Sequence, residues 1–456
     1  MPPATHQRPR SIALIKPTIG ERHGRPYRTP AVLEPLVFAV LAASTPPGFE
    51  LAFFDERLEE VPYDGGFDLV ALSVETYTAR RAYQIATAFR QRGVPVVLGG
   101  FHPTLLPEEA AAYADAVAIG EVESTWPRLL ADFAAGRLQP VYRADDPGGP
   151  ASPPFATDRR LFAGKGYLPV SLVETSRGCR HACHFCSVRR FYRAAIFHRP
   201  LAEVVREIEG LGRRVVFFVD DNIIADPARA RELFQAIRPL GLRWGSQASL
   251  QTAADPEFLD LMVESGCLAL IIGLESIFPD SLRQMGKAWH ARLGSLEHLL
   301  DQFRRRGILI YASFVFGFDA DTPARIRETV EFALAQRLFM ANFNMLIPYP
   351  GTRIYDELAR EGRLLAPRWW LSPAQRWDRP LFRPRGMSPD ELAAAVTEAR
   401  RRFASLSSLF QRALDPQANF ADPLRGLIYL AANLISRRDI GRKTGLRLGF
   451  SGEGPP

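Results

Sequence analysis

The stretch Arg177-Gly-Cys-Arg-His-Ala-Cys-His-Phe-Cys186 places three cysteines within eight positions, directly after a predicted strand. Thiolates bind iron tightly, and three of them on one short loop can hold three corners of a four-iron cube. A structural zinc site normally has four protein ligands. The fourth cysteine, Cys267, lies far along the chain, so a zinc site would need His181 or His184, and this remains the alternative.

Cys179, Cys183 and Cys186 are therefore the predicted ligands of a [4Fe–4S] cluster. Three protein ligands leave one iron of the cube open. That iron can take a ligand from outside the protein, which a substrate-binding cluster requires.

The sequence around this loop alternates short apolar runs with helical patterns over residues 167–365. Strands are predicted at 172–175, 215–219, 243–250, 269–274, 309–318 and 341–347, with helices between them at 201–212, 227–237, 256–265, 296–306 and 323–336. Six such β/α units predict an open, partial TIM-type barrel. Its chemistry is expected at the carboxyl ends of the strands.

Residues 1–136 carry a second alternating series. Strands are predicted at 11–16, 50–55, 68–74, 95–98 and 116–119, and helices at 31–43, 79–92, 107–114 and 124–134. Five strands with helices between them predict a Rossmann-like, doubly wound parallel sheet. The Pro- and Gly-rich residues 137–166 are predicted to form a linker, and residues 366–456 a smaller, mostly helical region.

Composition limits the classes of function. The net charge is +7, but 53 of the 57 basic residues are arginines scattered among acids, so no nucleic-acid surface is expected. The longest apolar stretches fall short of the ~20 residues that span a bilayer, and residues 1–10 lack the apolar core of a secretory signal. Clustered cysteines indicate a metal site in a reducing compartment, so a cytoplasmic location is expected.

The cysteine spacing, its place after the first barrel strand and the six β/α units resemble the radical S-adenosylmethionine (SAM) superfamily over residues 167–364. The resemblance implies that the open iron chelates the amino and carboxylate groups of SAM. An electron from the cluster then yields a 5′-deoxyadenosyl radical. The implied SAM contacts are Phe185, Asp220, Asp221, Gln247, Ser249 and Glu275. Loop packing is the alternative role for Phe185, and helix capping the alternative for the two aspartates.

The first domain resembles that of the cobalamin-dependent branch of the superfamily. The resemblance lies in Leu72-Ser-Val74, Leu98-Gly-Gly-Phe-His-Pro103 and Gly120-Glu-Val-Glu123. It implies cobalamin contacts at Ser73, Gly99, Gly100, His102 and Gly120. No histidine has the Asp-x-His-x-x-Gly pattern of a lower axial ligand, which many enzymes of this branch also lack. A corrin-free domain of the same shape, with His102 as a fold contact, is the alternative.

These resemblances imply a radical methyltransferase that acts on an unactivated carbon of a small, hydrophobic substrate. A low-potential electron donor, a ferredoxin or flavodoxin, is implied as partner. The alternatives are a cobalamin-assisted cyclase or oxygenase of a tetrapyrrole, and a non-catalytic electron carrier or metal-stabilised binding module. Residues 424–435 followed by Arg437-Arg-Asp-Ile-Gly-Arg-Lys443 have a basic amphipathic pattern. Peripheral membrane contact is one interpretation, and a helix packed on the barrel is the other.

Overall fold

The computed structural model describes residues 9–29, 31–144 and 156–452. The chain divides into two compact units. Unit 1 comprises Met1–Leu168, Arg368–Trp377 and Gly445–Pro456, and unit 2 comprises Pro169–Pro367 and Asp378–Thr444.

Unit 1 is built on a parallel six-stranded sheet. The first eight strands of the chain lie in this unit. They are β1 (Arg10–Lys16), β2 (Gly20–Arg22), β3 (Arg25–Pro26), β4 (Phe49–Asp55), β5 (Leu69–Ser73), β6 (Val96–Gly99), β7 (Ala116–Ile119) and β8 (Val141–Arg143). The main sheet has the order β4-β1-β5-β6-β7-β8. Its central strands are buried runs of Val, Ile, Leu and Ala, as expected for a parallel sheet that is covered on both faces.

The helices of unit 1 follow the predicted series with one shift and with one additional helix, Phe101–Leu105, that was not predicted. They are α1 (Leu36–Ala43), α2 (Ala79–Arg90), α3 (Phe101–Leu105), α4 (Pro107–Ala111) and α5 (Val122–Ala134). The first helix was predicted from residue 31 but begins at Leu36. Pro35 caps it in an extended conformation, and proline disfavours helical backbone in the residue before it.

The predicted linker and C-terminal region are divided differently in the structure. Residues 141–143 form β8, which pairs with β7 as the sixth strand of the sheet. The Pro- and Gly-rich run at 145–154, which motivated the linker, lies outside the described residues. Two segments of the predicted C-terminal region, Arg368–Trp377 and Gly445–Pro456, belong to unit 1. Local sequence pattern does not show such long-range packing.

Unit 2 contains the six predicted barrel strands and two short strands, Ser176–Arg177 and Phe197–His198, that were not predicted. They are β9 (Ser171–Val173), β10 (Ser176–Arg177), β11 (Phe197–His198), β12 (Val215–Phe218), β13 (Arg243–Ala248), β14 (Cys267–Glu275), β15 (Leu309–Phe316) and β16 (Met340–Met345). The order β16-β15-β14-β13-β12-β9 forms one parallel sheet, and β10 pairs with β11. The last strand of the chain, β17 (Arg447–Leu448), belongs to unit 1, where it pairs with β2.

Helices cover the outer face of the unit 2 sheet and continue beyond it. They are α6 (Val188–Phe191), α7 (Leu201–Gly210), α8 (Pro227–Ile237), α9 (Pro256–Glu264), α10 (Pro279–Gln284), α11 (Leu296–Arg305), α12 (Pro323–Ala335), α13 (Arg353–Arg360), α14 (Pro389–Phe403), α15 (Leu406–Ala413) and α16 (Pro423–Lys443). The predicted α/β fold class is thereby confirmed. Within the described part of the chain, no helix is both long enough and apolar enough to cross a bilayer.

Candidate active site

The three clustered cysteines lie on the loop that follows β10, next to the carboxyl end of β9, and all three are half-buried. Gly178, immediately before Cys179, has a φ of +88°. A Cβ atom there would lie 2.1 Å from the carbonyl oxygen of Ala195. No larger residue fits, so the entry of this cluster loop (residues 178–186) depends on glycine.

The protein environment does not ionise these thiols by itself. Burial raises the pKa of all three, and that of Cys186 to about 12. The positive charge of Lys287 acts in the opposite direction on Cys179 and Cys183 without outweighing burial. A coordinated metal would remove their protons. Cys267 is buried at the other end of the sheet, where β14 begins.

The cluster loop is held by residues 284–290, which we call the 284–290 segment. The backbone N–H of His184 donates to the carbonyl of Met285 at 3.0 Å, and its ring Nδ1 donates to the carbonyl of Gln284 at 2.7 Å. Gly286, at φ +77°, passes so close that a Cβ atom would lie 2.8 Å from the carbonyl oxygen of Ala182. Backbone of one segment thus fixes backbone of the other.

The two histidines of the loop are engaged with protein groups. His181 stacks on Trp289 with 4.6 Å between ring centroids. Nε2 of His184 accepts from Arg353 at 3.2 Å, so both ring nitrogens of His184 are used. Among the residues with described positions, no three Cys, His, Asp or Glu side chains converge as a single-ion site requires. The remaining donor set is three thiols, which fits three corners of a cluster better than one zinc ion.

Asp220 ties the end of β12 to the residues before the cluster loop. It is fully buried and accepts from the Thr175 backbone N–H at 3.1 Å, from Thr175 Oγ1 at 2.6 Å and from Ser176 Oγ at 2.5 Å. Its neighbour Asp221 accepts from the backbone N–H of Gly178 at 2.9 Å. Burial raises the pKa of Asp221 to about 6. Both carboxylates therefore support the loop.

The helix-capping alternative for these aspartates is wrong. α8 is capped by Asp226, whose side chain accepts from the backbone N–H of Arg229 at 3.3 Å. Asp220 and Asp221 instead stand at the strand end, where the sequence placed them.

The end of β13 presents Gln247 and Ser249. Trp244 on the same strand points to the helical side, where it stacks on Phe234 with 5.0 Å between centroids. Side chains alternate along a strand, so Gln247 and Ser249 lie on the opposite face. Gln247 is exposed and Ser249 half-buried, which leaves both able to contact a ligand.

Glu275 ends β14 in an ion pair that the sequence did not predict. Its carboxylate lies 2.9 Å from Nζ of Lys287, which also donates to the carbonyl of Gly273 at 2.9 Å. Both side chains are buried. Glu275 thus makes a protein contact at the strand end where the sequence predicts a nucleotide contact. The rarity of lysine, with four against 53 arginines, is the sequence signal that could have drawn attention to Lys287.

Phe185 occupies the position before the third cysteine and is half-buried. Its ring makes an edge contact with Phe318, which follows β15, at 6.4 Å between centroids. The Phe185 ring therefore packs on Phe318, and part of it remains accessible to solvent.

In unit 1, the predicted cobalamin residues lie at one edge of three neighbouring strands. Ser73 pairs with Gly99 across β5 and β6, and Gly120 follows β7. A Cβ on Gly100, at φ +102°, would lie 2.9 Å from backbone atoms of Val74. That glycine is therefore required for close packing of the loop on β5.

His102 is completely buried within unit 1. Its Nε2 lies 3.1 Å from Glu109, and Nδ1 lies 3.4 Å from Oγ1 of Thr76. Glu109 also accepts from Trp370 at 2.8 Å and from Tyr83 at 3.1 Å. A buried network of this kind fixes the loop after β6, which corresponds to the fold-contact alternative for His102.

Thr104 is a residue of this edge that the sequence did not single out. Its Oγ1 accepts from the backbone N–H of Gly120 at 3.0 Å and donates to the carbonyl of Gly100 at 2.8 Å. One hydroxyl therefore links the loops after β6 and β7. A single threonine in a short helix gives no local signal of such a role.

Comparisons with known proteins agree with this geometry. Residues 173–333 match the radical SAM superfamily, and residues 38–130 match the B12 binding domain. The chain is therefore an enzyme of the radical SAM class with a cobalamin-binding domain. Its cofactors are a [4Fe–4S] cluster, SAM and cobalamin, which confirms the predicted cofactors.

Two relatives from Chlorobaculum tepidum narrow the class. Bacteriochlorophyllide d C-12(1)-methyltransferase is 33% identical over 339 residues, covering 72% of this chain and 74% of the relative. Bacteriochlorophyllide d C-8(2)-methyltransferase is 30% identical over 354 residues, covering 73% and 78%. The chain belongs to the family of cobalamin-dependent radical SAM methyltransferases.

A solved structure has the same fold. It is the radical SAM methyltransferase TsrM from Kitasatospora setae with cobalamin and a [4Fe–4S] cluster bound. The TM-score is 0.62 at 20% identity, and the alignment covers 95% of this chain and 99% of TsrM.

Proposed function

We propose that this enzyme methylates an unactivated carbon of a hydrophobic, tetrapyrrole-type small molecule. The observation that carries the proposal is the identity of 33% and 30%, over about three quarters of each chain, with two methyltransferases named for bacteriochlorophyllide d. The same family chemistry on another hydrophobic small molecule would keep the proposed reaction and change only its substrate.

The bound cofactors would supply a 5′-deoxyadenosyl radical for hydrogen abstraction and a methyl group from cobalamin, while the protein supplies orientation and exclusion of water. In this proposal Cys179, Cys183 and Cys186 hold the cluster. Phe185, Gln247 and Ser249 contact SAM, because their side chains remain at least partly accessible at the loop and strand ends. Asp220, Asp221 and Glu275 act through the contacts that position the loop and Lys287.

For cobalamin, the proposed contacts are at the strand edge of unit 1. Ser73 offers a hydroxyl and Gly99 a backbone without a side chain; a Cβ on Gly99 would meet no atom closer than 3.5 Å. Gly100 and Gly120 shape the two loops, and His102 positions the first of them through Glu109.

We also propose an acidic ferredoxin or flavodoxin as the electron donor. Four arginines on or just after the cluster loop are exposed: Arg180, Arg189, Arg190 and Arg193. Such a basic surface beside the cluster residues complements an acidic electron carrier and would speed its encounter.

The reaction is tested by anaerobic assay of the full chain, reconstituted with iron, sulfide and hydroxocobalamin. Bacteriochlorophyllide d is supplied with a reduced flavodoxin as electron source and with SAM that carries a deuterated methyl group, and products are followed by mass spectrometry. We expect 5′-deoxyadenosine, S-adenosylhomocysteine and a pigment in which one hydrogen has been replaced by the labelled methyl group.

Two other outcomes would contradict the proposed reaction. A pigment that gains oxygen or a ring closure without label would identify the cyclase or oxygenase alternative. A reduced protein that forms no 5′-deoxyadenosine with any tetrapyrrole tested would favour the electron-carrier alternative.

A membrane surface is the proposed second partner. Eight of the twelve exposed large apolar side chains in the described part of the chain lie on α15, α16 and the connection between them. They are Leu406, Phe410, Leu414, Phe420, Leu424, Leu427, Leu430 and Leu434. The inner faces of both helices already pack on the barrel through Leu409 and Tyr429, so this outer face is a separate apolar surface.

Charge favours an anionic lipid surface as its occupant. Residues 405–444 contain six basic and three acidic residues, and the leucine stripe of α16 continues along the helix into Arg438 and Arg442. Apolar side chains with adjoining arginines suit the boundary between acyl chains and anionic headgroups. A hydrophobic substrate could be taken from the same bilayer.

Flotation with liposomes tests this surface. We expect the full chain to float with phosphatidylglycerol-containing vesicles at low salt, and much less with pure phosphatidylcholine. The double variant Phe410→Glu/Leu427→Glu should lose at least tenfold in binding, since both side chains are more than 60% exposed and no core contact is removed. Leu365→Glu, at an exposed leucine elsewhere, is the matched control. Absence of flotation, or dimerisation through this face without lipid binding, would contradict the proposal.

A further inference from the structure

Lys287 and Glu275 form a buried ion pair in unit 2. Their side chains are 10% and 9% exposed, and the charged atoms are 2.9 Å apart. A buried ion pair gains little net stability, because desolvation offsets most of the attraction. Its presence at a strand end therefore calls for an explanation other than stability.

The pair stands beside the cluster loop. Lys287 follows Gly286, whose backbone passes against the carbonyl of Ala182 between the first two cysteines. Met285 accepts from the backbone N–H of His184, between the second and third. These backbone contacts place Lys287 beside the loop that carries the three thiols.

The local backbone is shaped around the pair. Glu275 has a φ of +64°, a conformation that non-glycine residues rarely adopt and that costs about 1–3 kcal/mol. At Gly273, a Cβ atom would lie 2.3 Å from a Glu275 carboxylate oxygen and 3.1 Å from Nζ of Lys287. The strained backbone of Glu275 and the absence of a side chain at Gly273 both allow Lys287 to be held in this position.

We propose that Lys287 is an electrostatic positioning residue that raises the reduction potential of the cluster. Glu275 and the Gly273 carbonyl hold its ammonium group in place. The inference rests on the proposed assignment of the three cysteines as cluster ligands. The step concerned is the transfer of one electron from a reduced ferredoxin or flavodoxin to the oxidised cluster, with no bond formed and no proton transferred. A nearby fixed positive charge stabilises the added negative charge, and a low local dielectric strengthens that effect.

Three variants separate this role from simple support of the fold. Lys287→Met removes the cation, Glu275→Gln removes its counter-charge and keeps the lysine, and the double variant restores the net charge. The reconstituted full chain is titrated without SAM, and the reduced cluster is followed by electron paramagnetic resonance. Lys287→Met should lower the equilibrium constant for reduction at least tenfold, which for one electron is about 59 mV.

The reduction potentials of the other variants should shift in defined directions. Glu275→Gln should shift the potential upward, opposite to Lys287→Met, and the double variant should return close to the wild-type value. Lys287→Arg should largely retain the wild-type potential. Lys443→Met, which removes a lysine paired with Asp439 on α16, is the matched control and should change nothing.

Iron content and thermal stability are measured on every variant. Unchanged potentials in Lys287→Met and Glu275→Gln, or shifts of both in the same direction, would overturn the proposal and leave a structural role only. Should Lys287→Met lose its cluster, an upward shift in Glu275→Gln together with retention in Lys287→Arg carries the proposal, and a missing upward shift refutes it. A wrong cysteine assignment would be recognised separately, as iron retained after removal of those thiols.

Discussion

Replacing Cys179, Cys183 and Cys186 together by alanine is expected to abolish both iron binding and SAM cleavage. The three half-buried thiols are the donor set that the loop offers, and both ring nitrogens of His184 are already bonded. Iron and sulfide analysis after anaerobic reconstitution should show at least a tenfold loss of bound iron. Formation of 5′-deoxyadenosine should fall to the background of the cofactor-free mixture.

Cys267→Ala is the matched control. This thiol is buried at the opposite end of the sheet from the cluster loop. Its removal should cost about 1 kcal/mol of packing and leave iron content and SAM cleavage unchanged. Iron and nucleotide cleavage that persist in the triple variant, or disappear in the control, would contradict the assignment of the ligands.

The second large effect is expected from Asp220→Ala. This fully buried carboxylate accepts three hydrogen bonds from Thr175 and Ser176, just before the cluster loop. Its removal leaves three buried donors unsatisfied at about 1–3 kcal/mol each. We expect a loss of about 3 kcal/mol or more in the free energy of unfolding, measured by denaturant titration, together with a reduced iron content.

Two variants show whether this effect is specific. Asp220→Asn keeps one acceptor oxygen and should lose less stability than the alanine variant. Asp255→Ala removes the N-cap carboxylate of α9, which should cost about 1 kcal/mol without changing iron content. Equal losses in Asp220→Ala and Asp255→Ala would show that Asp220 does not hold the loop.

Much of the fold could be predicted because its signals are local. The alternation of buried β-branched runs with helical patterns gave both parallel sheets, and most strand limits agree within two residues. The observed elements differ from the predicted ones where tertiary contacts decide the local structure. The strand β8 is three residues long, with one buried side chain, and it forms because β7 is there to pair with it.

In the candidate site, too, some features could be predicted from local sequence and others depended on tertiary contacts. The cysteine loop and the strand-end carboxylates were identified because their spacing relative to the strands is a local property. Their partners were not, since Lys287 is 12 residues from Glu275 and more than 100 from Cys183 in the sequence. The burial of His102 against Trp370 likewise joins residues 268 positions apart, a packing contact that the local sequence does not show.

The order of residues along the chain determined the two parallel α/β units and the three-thiol loop, because hydrophobic periodicity and ligand spacing act over a few residues. The cofactor class followed from the resemblance of these motifs to a known family. Tertiary structure decided which polar groups remain available and which are used within the protein. The reason is that a buried charge such as Asp220, Glu275 or Lys287 must find a partner wherever the fold brings one within hydrogen-bonding distance.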